Sequence, residues 1–66
     1  MDGYISAKEA AAYLGISIWT LYSYVFRRLI PYYKLRTGKK GKLLFKKPEL
    51  KDFVEAGKVE PNGKYL

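Results

Sequence analysis

The 66-residue chain has no cysteine and no histidine. It therefore offers no disulfide, no thiolate nucleophile, no imidazole base and no conventional zinc site. Acidic residues are few, six against thirteen lysines and arginines. They are scattered and fall beside helix signals, so no constellation of carboxylates for acid–base catalysis suggests itself. The chain reads as a non-enzyme with no cofactor and no metal. No apolar run approaches the roughly 20 residues of a membrane span, and MDGYIS at the N-terminus lacks a basic segment followed by an apolar one. The expectation is a soluble, cytoplasmic protein with no membrane partner. At this length there is room for one small domain around a single modest core.

What the sequence does have is positive charge. The net charge of +7 creates a potential that attracts polyanions, nucleic acid first and an acidic membrane surface second. Between Arg27 and Lys47 lie nine cationic residues (Arg27, Arg28, Lys34, Arg36, Lys39, Lys40, Lys42, Lys46, Lys47) and not one acidic residue. A surface chosen for solubility mixes its signs, whereas an unbroken patch has the character of a phosphate-binding face. The bland alternative is a solvated charge run.

Helix signals organise the first half. Ser6 and Glu9 have the S-x-x-E spacing of a capping box, so a helix is expected to start at Ala7. Ala7, Ala10, Ala11 and Leu14 follow at i, i+3, i+4 and i+7, a narrow face on which another helix can pack closely, and Gly15 stops the run. Ser17 is the N-cap expected for a second helix reaching Arg28 or Leu29. Only three residues then separate the helices, the spacing of a helix-turn-helix.

On a wheel of 100° per residue the second helix has two faces. Leu21, Tyr24 and Val25 point toward the first helix, with Arg28 at the edge. Trp19, Tyr22, Ser23 and Phe26 fall on the other side, with Arg27 beside them and Ile18 near the boundary. That second aromatic face has three readings. It is further core; or it enters a major groove, with Ile18 and Trp19 against thymine methyls, Ser23 on a base edge or phosphate and Arg27 on a phosphate; or it is a protein contact.

After Pro31, Tyr32–Arg36 and Lys42–Lys46 read as strands joined by Thr37-Gly38-Lys39-Lys40-Gly41, a β-hairpin. Period-two alternation puts Tyr33, Leu35, Leu43 and Phe45 on one face and Lys34, Arg36, Lys42 and Lys46 on the other, with Leu44 out of pattern. Gly38 and Gly41 allow a tight turn that approaches a sugar-phosphate backbone. If about five to eight phosphates are neutralised, log affinity falls with log salt at a slope of roughly −4 to −7. Pro48 opens a third helix to Ala56, with Leu50, Phe53 and Val54 on one face and Gly57 as its stop. The fold expected is mainly α with a small β-hairpin. Residues 1–57 form the domain and residues 58–66 a mobile C-terminal tail.

YISAKEAAAYLGIS, TLYSYV, IPYYKL with KLLF, and KKPELKDFVEAG together resemble the excisionase-type winged helix-turn-helix family, a branch of the MerR-like DNA-binding domains, over about residues 4 to 57. The resemblance implies that the second helix enters the major groove through Ile18, Trp19, Tyr22 and Ser23, while the wing meets the adjacent minor groove or its phosphates. Arg36, Lys39 and Lys40 carry the wing's role, with Lys34, Thr37 and Lys42 beside them, and Ser6 and Lys8 at the start of the first helix also face phosphate. Family members often have glycine at the turn where this chain has Arg28, and polar or basic residues where it has Ile18, Trp19 and Phe26. Excisionases bind and bend double-stranded DNA to assist a tyrosine recombinase, an integrase; others with this fold regulate transcription of a phage, plasmid or genomic island. The resemblance thus implies a bacterial or phage-encoded, nucleoid-associated protein with several copies on its DNA. A pure protein-interaction module is the reading from a different class.

Overall fold

A computed structural model of the protein describes residues 3–36 and 41–60. The expected turn residues 37–40 and the end of the tail, residues 61–66, lie outside the described residues. The elements run β1 (Tyr4–Ser6), α1 (Ala7–Leu14), α2 (Ile18–Phe26), β2 (Tyr33–Leu35), β3 (Lys42–Lys46) and α3 (Lys47–Glu55).

Helix α1 starts where its capping box dictates. The Ser6 hydroxyl accepts the Glu9 N–H at 3.1 Å and the Ser6 N–H donates to the Glu9 carboxylate at 3.0 Å, so two otherwise unpaired donors are satisfied. Ser17 caps α2 by accepting the Thr20 N–H at 3.1 Å. Between the helices Gly15 adopts a left-handed φ of 72°, which lets the chain reverse without a Cβ clash. Ala10 and Ala11 are buried against Leu21, with Ala7, Leu14, Tyr24 and Val25 packed around them. The small side chains of α1 thus let α2 approach closely, as the spacing implied.

Helix α2 ends at Phe26, two to three residues earlier than its sequence suggests. Arg28 takes φ 57°, and Leu29 N–H turns back to the Tyr24 carbonyl at 2.9 Å. A non-glycine residue in that region costs about 1 kcal/mol. Ile30 then enters the core and leads into β2.

The sheet corrects the hairpin expectation in two ways. It has three antiparallel strands in the order β1-β3-β2, because Tyr4–Ser6 pairs with Leu44–Lys46 along the free edge of β3. The register Tyr33↔Leu44, Lys34↔Leu43, Leu35↔Lys42 also divides the faces differently. Residues directly opposite share a face, so Tyr33 and Leu35 lie with Tyr4, Leu44 and Lys46 on the outer face, not with Leu43 and Phe45. Leu43, Phe45 and Ile5 face inward, with Phe45 completely buried. Leu44 points to the outer face, which it shares with its cross-strand partner Tyr33 and with Tyr4. Gly41 does not take a left-handed φ among the described glycines. Its missing side chain makes room for the Lys34 stem, whose Cγ would lie 2.9 Å from a Cβ there.

Helix α3 follows β3 with no linker and begins at Lys47, so Pro48 is its second residue. Leu50 is buried and Phe53 packs on Tyr24 of α2, ring centroids 6.0 Å apart. Val54 is exposed, not core. The helix ends through short bonds from Gly57 and Lys58 N–H to Val54 and Glu55 carbonyls, without a left-handed glycine. The result is three helices and a small antiparallel sheet, with one core of Ala10, Ala11, Leu21, Ile30, Phe45 and Leu50.

Candidate nucleic-acid interface

Helix α2 resolves its two faces by burial. Leu21 is buried completely, while Trp19 is 76 % exposed and Phe26 88 % exposed. Tyr22, Ser23 and Arg27 are exposed on the same side. The reading of this stripe as additional core therefore fails among the described residues. Trp19 and Tyr22, one turn apart, meet edge to face at 6.4 Å between centroids. Ile18 is different: it is half-buried and packs against the core, so only part of its surface is open to a ligand.

The two helix starts also differ. At the start of α1 the Glu9 carboxylate accepts the Ser6 N–H, and hydrogen bonding to Ser6, first its backbone and then its side chain, holds Glu9 below the usual carboxylate range, helped by Lys47 and Lys42. The protein's own anion fills that position, and Ser6 is engaged in the cap. Helix α2 has no acidic residue in its first turn, so its positive end is not neutralised.

The wing supplies the charge. Lys34, Arg36 and Lys42 are exposed, as are Arg27, Arg28 and Lys8. Thr37, Lys39 and Lys40 lie outside the described residues. No aspartate or glutamate occurs from residue 10 to residue 48. Among the described residues the one salt bridge is Lys58–Glu60, at 3.1 Å on the far C-terminal segment. Among the described residues no salt bridge engages the basic stretch, so most of its field is available to a polyanion.

Lys46 stays on the face the alternation gave it, away from Phe45, whereas Lys34, paired with Leu43, changes face; Lys46 is nevertheless engaged within the protein. Its Nζ lies 5.0 Å from the Tyr4 ring centroid and 5.3 Å from that of Tyr33, and the two rings meet edge to face at 5.4 Å. Lys47 lies 5.7 Å from the Tyr13 ring. These cation–π contacts engage two of the nine cations, Lys46 across the three strands of the sheet and Lys47 between α3 and α1. Sequence reasoning missed the Tyr4 partner because the strand that carries it is three residues long. The signal available was the alternation of Tyr4, Ile5 and Ser6.

The two helices are thus joined by a tight three-residue turn, with the second helix presenting an exposed face. Residues 4–58 match the profile of a family described as a helix-turn-helix domain. The chain belongs to this helix-turn-helix family. Membership gives DNA as the partner, and the three helices with their small sheet form a helix-turn-helix domain with a β wing. No curated protein and no solved structure matches the chain. Among the described residues, no helix of this helix-turn-helix domain is long and apolar enough to cross a membrane.

Proposed function

We propose that the protein is a sequence-specific double-stranded DNA-binding factor of a mobile element, an excisionase-like protein that bends DNA to assist a tyrosine recombinase. The observation that carries the DNA part is the open α2 face beside a stretch of 39 residues, 10 to 48, without a carboxylate. Trp19, Tyr22 and Ser23 reach base edges, Arg27 reaches a phosphate, and Ile18 contributes the part of its surface that the core leaves open. Lys34, Arg36 and Lys42 meet phosphates, with Thr37, Lys39 and Lys40 continuing the wing, and Lys8 adds a contact at the start of α1. The excision role rests on resemblance to the excisionase-type, MerR-like domains, and so do copies side by side on the site.

The size of Phe26 and its exposure favour a second use of the same helix. A large ring with so little cover suits a protein partner, and a recombinase bound beside it on the DNA is the partner this reading requires.

The test is a titration of the purified protein with duplex DNA at several salt concentrations, followed by recovery and sequencing of fragments it retains from sheared source DNA. The expected log–log salt slope is about −4 to −7. Clustered sites at the ends of an integrated element, with bending seen by circular-permutation gel shift, support excision. Enrichment at promoters alone replaces it with transcriptional regulation, and absence of salt-dependent binding removes DNA and leaves the aromatic face as a protein-interaction surface.

A further inference from the structure

Both helices of the pair end in the same way, but the left-handed residue is glycine in the first and arginine in the second. After α1, Gly15 N–H donates to the Ala12 carbonyl at 3.2 Å and Ile16 N–H to the Ala11 carbonyl at 3.0 Å, with Gly15 at φ 72°. After α2, Arg28 N–H donates to the Val25 carbonyl at 3.0 Å and Leu29 N–H to the Tyr24 carbonyl at 2.9 Å, with Arg28 at φ 57°. This pair of bonds requires one left-handed residue, and glycine takes it without steric cost, whereas a Cβ crowds the neighbouring carbonyl. The chain obeys that preference at the first helix and departs from it at the second. Among the described residues Arg28 is the one non-glycine with positive φ.

Nothing within the described protein accounts for the Arg28 side chain. It is exposed, and no hydrogen bond, salt bridge or aromatic stack involves its guanidinium among the described residues. The negative end of the helix does not require it, because Arg27 already places a cation there. Its position is informative: Arg28 stands between the last turn of α2 and the strand β2, where the helix assigned to the groove hands over to the wing assigned to the phosphates.

We infer that Arg28 binds a backbone phosphate at this junction, its planar fork taking two phosphate oxygens, and that this contact is the reason an arginine occupies a glycine position. The inference rests on the DNA-binding reading above and adds to it a residue that sets affinity and register, not base preference.

The experiment is Arg28→Gly, read in two ways. Relief of the left-handed conformation raises the thermal midpoint by about 4–8 °C. Removal of one phosphate-binding cation weakens binding to every duplex roughly 5–10-fold at 0.1 M salt and makes the salt slope shallower by about 0.9. Arg28→Lys keeps the charge and removes the fork, so it retains the wild-type slope and midpoint with intermediate affinity. A purely structural arginine gives the opposite pattern, in which Arg28→Gly lowers the midpoint, and that result overturns the inference. So does a stabilised Arg28→Gly protein whose affinity and slope equal those of wild type. If the wild-type protein itself shows no salt-dependent binding, the DNA reading fails and the inference with it, a result distinct from the other two.

Discussion

Tyr33 on β2 donates its hydroxyl to the Glu49 carboxylate on α3 at 2.6 Å, joining the wing to the helix that closes the core. The other oxygen of Glu49 is buried without a hydrogen-bond partner among the described residues. The carboxylate therefore depends on this one bond. Tyr33→Phe removes it and is expected to lower the thermal midpoint by roughly 5 °C or more. Thermal unfolding by circular dichroism checks this, and an unchanged midpoint would show that the bond does not stabilise the fold.

The same bond has an alkaline signature. Hydrogen bonding to Glu49, burial and the Glu49 charge all push the Tyr33 phenol above the usual tyrosine range. A group whose folded pKa is raised contributes stability below its unfolded value and loses it as pH rises through the folded one. In an absorbance titration of the seven tyrosines, one is expected to ionise late, and Tyr33→Phe is expected to remove that late step.

At the acid end the relevant group is Glu9. Its folded pKa is depressed, so its contribution is present above the usual carboxylate range and disappears as pH falls through the depressed value. Wild type and Glu9→Gln should differ in stability near neutral pH and converge as the solution is acidified. Parallel urea titrations across that range measure it; curves that stay a constant distance apart would remove charge from the cap.

Trp19 and Leu21 are two residues apart on α2 and face opposite environments. Leu21→Ala is expected to cost about 2–5 kcal/mol, enough to unfold much of so small a domain. Trp19→Ala should stay within about 0.5 kcal/mol of wild type while changing preference among duplex sequences. Disappearance of the helical spectrum in the Trp19 variant would mean that the ring supports the fold.

Charge reversal in the wing is expected to act without regard to sequence. Arg36→Glu with Lys42→Glu should weaken binding to all duplexes alike and make the log–log salt slope shallower by about 0.9 for each phosphate that is no longer neutralised. Equal affinity of the double variant and wild type in anisotropy titrations would remove β2 and β3 from the interface.

The helix pair is legible in the sequence because its signals are local. Ser6 with Glu9, Gly15, and Ser17 each act within a turn, and the alanine face of α1 has no other use. The end of α2 is not legible, since Arg28 carries no sign that it will adopt a glycine conformation. The sheet is only half legible for a physical reason: a strand of three residues shows hardly one period, so β1 leaves only the faint alternation of Tyr4, Ile5 and Ser6. Without β1 the Tyr4 neighbour on the outer face of the sheet goes unseen, and Leu44 looks misplaced. Once Tyr4 and Ser6 stand beside it, the alternation of Leu43, Leu44 and Phe45 places one residue on each side in turn. For the candidate site, charge and the wheel of α2 identify the exposed stripe, while the engagement of Lys46 and Ile18 depends on neighbours distant in sequence.

The pairing of β1 with β3 joins Tyr4 to Lys46, a separation of 46 − 4 = 42 positions, whereas α1 and α2 meet across a turn of three. Closing the longer loop costs more chain entropy before any contact rewards it. The helix pair is therefore the part whose contacts form at the smallest entropic cost, and the pairing that fixes the N-terminal strand against the centre of the sheet is the most costly to close.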